Sequence, residues 1–410
     1  MKRGYLSEFF TGVAIKTLSA VEAEPVSSNQ HEFNGVKALR RLLGDQRQTF
    51  KATFIYLSDN DPDPLVDDGY LTWYDSRENI ASRSAEYRLY FPQTTVSVCA
   101  AEGDLLVIAR KPDGNLLAII AQGGSTITSQ ILWLFGIEAP SLTGFSIREA
   151  LETDQDRIHF ASGLILEQLG IVPEVPDAPR SYLDTMLAKF GGVFPSTNIF
   201  SAYARSTLPE INPISSDPDT ALMAWMEREE ILFRTLEKHL LADRLQKGFV
   251  DDVDGFIAFS LKVQNRRKSR SGYALENHFE AIFKANVIRY ERGAKTEDRS
   301  KPDFLFPGSS EYKDRGYDAT LLTMLGAKTT CKDRWRQVLA EANRIEIKHL
   351  LTLEAAISRN QTKEMQDHRI QLVIPRSLHA TYAVEQQQSL MDVQSFTTMV
   401  KEKEKRAGAS

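Results

Sequence analysis

Lys301-Pro302-Asp303-Phe304-Leu305-Phe306, then Leu321-Leu322-Thr323-Met324-Leu325-Gly326-Ala327-Lys328, then Lys332-Asp333-Arg334-Trp335 and finally Glu341 make up the stretch on which the reading of this chain turns. Proline biases its neighbours toward extended backbone, and the apolar run behind Asp303 reads as a buried strand. Leu321–Ala327 is a second such run, closed by Lys328. Neighbouring strands can bring these two side chains together at one sheet edge. Asp333 is placed to cap a helix from Arg334 to about Ile345, whose apolar stripe is Trp335, Val338, Leu339, Ala342 and Ile345. Glu341 falls at the border of that stripe and leans toward the strands.

Two carboxylates about 4 Å apart repel by roughly 1–4 kcal/mol, a term that a bound hard cation reverses. Mg²⁺ suits such a pair, because it takes one or two carboxylates with waters and phosphate oxygens. An ammonium beside it can position a water or stabilise charge building on phosphorus. The pattern thus implies hydrolysis of a phosphodiester, with Asp303 and Glu341 as metal ligands and Lys328 as their catalytic partner. An isolated Pro-Asp would be turn chemistry; the three elements in order tip the balance toward a site.

A second segment, Gly272–Phe283, has Leu275, Phe279, Ile282 and Phe283 on one helical face. Glu276 lies near that face and is a further candidate acid, whereas Glu280 lies further out and reads as solvated. Immediately before it, Asn265-Arg266-Arg267-Lys268-Ser269-Arg270 packs four cations into six residues. As a basic loop it would be a phosphate clamp, with Arg266, Lys268 and Arg270 as DNA contacts. Lys332-Asp333-Arg334 is more specific, since Arg can donate twice to guanine and Asp can accept from cytosine. The seven histidines show no ligand spacing, and most read as structural.

The 410 residues suit two domains, and 42% hydrophobic with 26% charged residues is ordinary globular composition. Fifty basic against 55 acidic residues give a net charge of −5, so a nucleic-acid partner would need local basic clusters. Cys99 and Cys331 stand far apart without metal-ligand spacing, which fits a reducing cytoplasm. Glu8 interrupts the apolar run near the start, and no stretch of about 18 uncharged apolar residues occurs, so neither a signal peptide nor a membrane span is expected. About the first 135 residues read as short β-strands, with Thr94–Cys99 among them and a hairpin turning at Lys111–Asn115. Beyond residue 221, helices near 221–245, 251–264 and 272–286 precede strands near 303–306, 322–328, 349–353 and 370–374, an α/β pattern. The boundaries expected are 1–170 for the first domain, 171–220 for a proline-rich linker and 221–410 for the second domain.

Asn265–Arg270, Lys301–Pro307 and Lys328–Gln337 together resemble the C-terminal half of the EcoRII-like type II restriction endonucleases, over roughly 245–385. The resemblance implies a PD-(D/E)XK nuclease fold, Mg²⁺-dependent cleavage of duplex DNA at a CC/GG-containing site, a homodimer and a bacterial or archaeal cytoplasm. It places Asp303, Lys328, Glu341 and Glu276 in catalytic positions and Lys268, Lys332, Asp333 and Arg334 in DNA contacts. Gly326 stands where the common form of the motif has its second acid. More faintly, Thr72–Arg77 and Glu86-Tyr87-Arg88 resemble the family's B3-like pseudobarrel, which binds a second (effector) copy of the site and restrains the nuclease. That likeness carries His31, Arg83, Glu86 and Arg88 over as DNA contacts. Around Trp225–Glu230 the Arg and Tyr with which some relatives hold extruded bases are not found, which points to an uninterrupted CCGG core. The rival readings are a non-catalytic DNA-binding regulator and a modification-dependent or repair nuclease.

Overall fold

The structure is a computed structural model that describes residues 2–23, 31–34, 37–61, 63–78, 82–138, 140, 144–173, 179–297, 300–331 and 334–408. It divides into two compact units, 1–174 with 355–363 and 175–354 with 364–410.

The N-terminal unit is mainly β. Its strands are β1 (Gly12–Thr17), β2 (Glu32–Asn34), β3 (Gln48–Leu57), β4 (Leu65–Asp75), β5 (Tyr87–Tyr90), β6 (Leu105–Arg110), β7 (Leu116–Ala121) and β8 (Ser146–Arg148). They form one sheet in the order β2-β5-β4-β3-β7-β6-β1-β8. Side chains alternate across a strand, so Phe50, Phe54, Leu71 and Trp73 bury one face. Val13, Ile15, Val107 and Ile119 bury the other. β6 and β7 form the expected hairpin, with Leu105 opposite Ala121 and Gly114 at φ 87 in the turn. Thr94–Cys99 is not a strand. Thr94 N donates to Ser97 Oγ at 2.8 Å and Ser97 N to Thr94 Oγ1 at 3.0 Å, and this local bonding favours a 3-10 turn over Ser97–Cys99.

The C-terminal unit carries a five-stranded mixed sheet of β9 (Glu291–Arg292), β10 (Phe304–Phe306), β11 (Thr323–Lys328), β12 (Lys348–Thr352) and β13 (Ile370–Val373). The order is β13-β12-β11-β10-β9, antiparallel from β9 to β11 and parallel from β11 to β13. Residues 180–206, read from sequence as part of a linker, form α1 (Arg180–Phe190) and α2 (Thr197–Ser206). Met186, Phe200 and Tyr203 from these helices pack with Leu232, Phe233 and Leu236 of α3 (Pro218–Lys247) into one buried cluster.

The two helices expected on either side of the basic run are a single helix, α4 (Val253–Ala285). Asp252 caps it by accepting from Gly255 N at 2.8 Å. The cations do not break the helix because two of them pair with α3. Arg267 Nη2 lies 2.5 Å from Glu237, and Arg270 pairs with Glu230 and lies 3.5 Å from Glu229. About two turns further on, fully buried His278 has Nε2 2.9 Å from Glu229, while Arg205 Nη1 sits 3.1 Å from its Nδ1. Guanidinium only donates, so Nδ1 accepts and the proton of the neutral ring sits on Nε2, facing the carboxylate. Burial holds this imidazole below its ordinary pKa. The far end of α4 packs on the sheet through Phe283, whose ring lies 5.2 Å from that of Phe304 and 5.0 Å from that of Phe306.

Removing one member of a buried ion pair leaves an uncompensated charge and costs about 3–5 kcal/mol. Arg270→Met is therefore expected to lower the urea-unfolding free energy by that order, because Glu229 is wholly buried. A loss below about 1 kcal/mol would place the pair among dispensable surface contacts.

Candidate active site

The β10–β11 register, Phe304 opposite Leu325, sets Asp303 at the mouth of β10 beside the end of β11. Asp303 Oδ2 accepts from Ala327 N at 2.7 Å and from Lys328 Nζ at 2.9 Å. The side chains of both Asp303 and Lys328 are largely covered, at 19% and 22% exposure. Charge-assisted bonds of this kind are short and orienting, so one carboxylate is fixed to the strand that carries the lysine.

Glu341 reaches the same site by a route that differs from the expected one. The helix after β11 is short, α5 (Trp335–Leu339), rather than running to Ile345. Glu341 sits on the following turn, its amide 3.1 Å from Val338 O, and Ala342 adopts the left-handed φ of 48. Among the described residues Glu341 Oε2 is buried with no hydrogen-bond partner. Burial, with the Asp303 charge second, pushes this carboxyl up to about 7 against the pull of Lys328 and Lys348. Gly326 explains why the acid arrives from this turn. A Cβ built there would lie 3.0 Å from Val338 Cγ2, so a side chain on that strand position would push α5 outward by a few tenths of an ångström or more.

Glu276 enters from α4. Burial, then Asp303, raises its pKa, and Arg292 opposes both. Arg292, opposite Phe304 on β9, donates from Nη2 to Glu276 Oε2 at 2.7 Å and from Nη1 to Asn277 Oδ1 at 2.8 Å and Glu280 Oε2 at 3.2 Å. Glu280 is thus not solvated as expected; it also accepts from Tyr290 OH at 2.8 Å. Sequence reasoning missed Arg292, because a two-residue strand carries no periodicity to read. Lys348, which acts on Glu341, was missed for a different reason: a lysine is read as surface by default, and this one is 8% exposed.

The donor set suits a hard cation: an orphaned buried carboxylate oxygen next to a second carboxylate held by a strand. Among the described residues no group of three or more His, Cys, Asp or Glu side chains converges to hold a metal. A site of two carboxylates completed by water and phosphate oxygens needs no such group.

The expected DNA contacts divide. Lys268 and Arg334 are exposed, and the Arg266 guanidinium lies 4.4 Å from the centre of the Phe194 ring. Arg270 corrects the expectation. At 7% exposure it faces α3, because residues 267 and 270 share the helix face turned to Glu237, Glu230 and Glu229. Lys332 and Asp333 lie outside the described residues. In the N-terminal unit Arg88 Nη1 donates to Glu32 at 2.8 Å and Nη2 to Glu86 at 3.0 Å. Glu86 also pairs with Arg77. The Tyr74 hydroxyl donates to Glu32, and burial followed by that bond pushes its pKa up to about 12. His31 stacks edge-on to Phe91 at 5.6 Å, and Arg83 is exposed.

Residues 233–397 match the family described as EcoRII C terminal. Over 204 residues the chain is 41% identical to the type II restriction enzyme EcoRII of Escherichia coli, a stretch that is 50% of this chain and 50% of that relative. The chain thus spans about half the length of this curated relative. Among solved structures, metal-depleted Ecl18kI in complex with uncleaved, modified DNA superposes with a TM-score of 0.43 at 17% identity, covering 56% of this chain and 86% of that one. A complex of the restriction endonuclease PspGI with substrate DNA gives 0.43 at 16%, covering 51% and 93%. The C-terminal region of the chain has a restriction-endonuclease-like fold. Within that chain, residues 233–397 are the part similar to the EcoRII C-terminal family.

The raised Glu341 carboxyl gives a pH prediction for protein stripped of divalent cations. Its folded pKa of about 7 exceeds the ordinary 4.5, so folding favours the protonated form. The stability it contributes is complete below about pH 4.5 and is lost as pH rises through about 7. Urea midpoints measured in EDTA should fall between about pH 5 and 8, and Glu341→Gln should flatten that fall. An unchanged slope in the variant would place the effect elsewhere.

Proposed function

We propose that this chain is a Mg²⁺-dependent, sequence-specific type II restriction endonuclease that hydrolyses phosphodiester bonds of duplex DNA at a CC/GG-containing site. The observation that carries this reading is Asp303 Oδ2 held between Ala327 N and Lys328 Nζ, with the orphaned Glu341 oxygen in the same electrostatic field. Asp303 and Glu341 would hold the cation. When bound, a divalent cation acidifies a coordinated water and neutralises charge on the phosphate.

The protein's own groups do the rest. Ala327 N and Lys328 hold the Asp303 carboxylate aimed, so it need not reorganise during the reaction. The Lys328 ammonium lies beside it to orient a water and meet negative charge building on the phosphate oxygens. Arg292 keeps Glu276 in place, and Glu276 completes the acidic wall. Lys268, Arg266 and Arg334 are offered to the phosphates and bases, with Lys332 and Asp333 as further readers of the CC/GG core. A homodimer would present two such sites to the two strands.

In the same reading the domains are 1–170, a B3-like pseudobarrel, and 221–410, the nuclease, joined through 171–220. The first binds an effector copy of the site through His31, Arg83, Glu86 and Arg88. The recognition core is an uninterrupted CCGG, since extruding a base costs a few kcal/mol and needs a stacking platform.

Plasmid incubated with Mg²⁺ should be cut into discrete fragments, and EDTA should stop it. Asp303→Ala and Lys328→Ala should each lower the rate by at least about 10²–10³-fold while gel-shift binding survives. Wild-type rates in either variant would reject the site. Sequencing the cut ends reads the core directly, and an interrupted pentanucleotide there would refute CCGG. A second site-bearing duplex added in trans should accelerate cleavage, and Arg88→Ala should lose that acceleration while keeping the basal rate.

A further inference from the structure

We propose that Lys348 is a positioning residue for Glu341: its buried ammonium fixes the turn that carries this carboxylate and so sets the affinity of the site for a divalent cation. The inference rests on Glu341 being a metal ligand, as proposed above.

Lys348 opens β12 and is 8% exposed. Its Nζ donates to the carbonyl of Glu341, to that of Ala342 at 3.2 Å and to that of Ile345 at 3.4 Å. An ammonium has three protons to give, and here all three go to backbone oxygens of one turn. The amides of the turn are held from the other side, Ala342 N by Thr296 Oγ1 at 3.4 Å, Asn343 N by Glu297 at 3.2 Å and Arg344 N by the Tyr312 hydroxyl at 3.2 Å, and Lys348 is the group that gathers its carbonyls. The helix has ended at Leu339, and Ala342 sits at a φ of 48, which a residue with a Cβ adopts at a cost. A buried lysine ordinarily requires a carboxylate partner or a strong reason to stay. At this position the reason is the convergence of three carbonyls, of which that of Ala342 also accepts from Ile345 N at 2.9 Å.

The anchorage also links the parts of the site. β12 lies parallel to β11, with His349 beside Leu325 and Thr352 beside Lys328. Lys348 therefore ties the Glu341 turn to the sheet that carries Lys328 and, through it, Asp303. Without the ammonium, these carbonyls would seek water and the Glu341 end of the turn would be free to shift, even with the amides of residues 342–344 still bonded. Glu341 would then have to be ordered when the cation binds, and affinity would fall. Groups that orient ligands from behind are commonly worth 10–100-fold in metal affinity.

The test uses the full-length protein and Mn²⁺ alone, counted by electron paramagnetic resonance without DNA. Lys348→Met keeps the aliphatic stem and removes every donor. It should raise the half-saturating Mn²⁺ concentration by roughly 10–100-fold, and Lys348→Arg, which retains donors and charge, should recover much of the loss. The decisive comparison adds Lys348→Met to Glu341→Ala. If Lys348 acts through Glu341, the double variant binds Mn²⁺ no more weakly than Glu341→Ala does. An equal further loss in that background overturns the proposal, as does unchanged affinity in folded Lys348→Met. Should the methionine variant not fold, Lys348→Gln enters the same cycle. Wild-type Mn²⁺ binding by Glu341→Ala is a separate result, which rejects Glu341 as a ligand before Lys348 is considered.

Discussion

One carboxylate oxygen, Asp303 Oδ2, accepts from a strand amide and a strand-end ammonium together, and the site is organised around that double bond. The amide of Ala327 makes the contact part of the sheet's own geometry rather than a side-chain coincidence. Because β10 and β11 are antiparallel with Phe304 opposite Leu325, the residue before β10 can reach only the end of β11. The contact then fixes what can surround it. Glu276 must come from the helix packed over Phe304 and Phe306, and Glu341 from the turn after the helix packed on Gly326. A glycine in a central strand is ordinarily a weakness. Here it admits Val338 and brings the acid-bearing turn down onto the sheet.

The helical layer obeys a similar constraint with charges instead of apolar groups. Glu229 and Glu237 of α3 are almost wholly buried, and Arg267, Arg270, Arg205 and His278 converge on them. Such a network contributes little net stability compared with an apolar replacement, but it penalises every register except one. It fixes α4 against α3 along the stretch that leads to Glu276. A rigid approach of this sort matters more to a catalytic acid than added stability would.

Much of this was legible from residue order, and the rest was hidden for identifiable reasons. The strands at 304–306, 323–328, 348–352 and 370–373 lie within a residue or two of the apolar runs that announced them. The hairpin at Lys111–Asn115 followed from proline and glycine chemistry. Asp303 and Lys328 meet as their strand contexts suggested. The basic run misled because four cations in six residues look like a solvated loop, while the acids that pair with two of them, Glu237 and Glu230, lie far back along the chain on α3. The stripe Trp335–Ile345 misled because periodicity cannot register a lysine, itself beyond the stripe, that takes the carbonyls a longer helix would need. Arg292 was invisible because its whole meaning lies in partners on another element.

The charge balance of the site explains why its parts are assembled in these proportions. Asp303, Glu276, Glu280 and Glu341 bring four carboxylates; Arg292, Lys328 and Lys348 bring three covered cations, the exposed Lys284 beside Glu280 being left to solvent screening. With every group ionised the cluster carries one net negative charge and would repel a phosphodiester. It relieves that excess in part by holding the Glu341 proton to near neutral pH. A divalent cation would displace that proton and turn the net charge to one positive, matched to a single phosphodiester. In a weakly screened, partly buried setting such a change of sign is worth far more than it would be in water. Arg292 is then as necessary as the acids. By bonding both Glu276 and Glu280 it draws these two acids together and leaves Asp303 and Glu341 as the pair beside which a cation would sit, so that the same arrangement would bind metal and, once metal is bound, favour DNA.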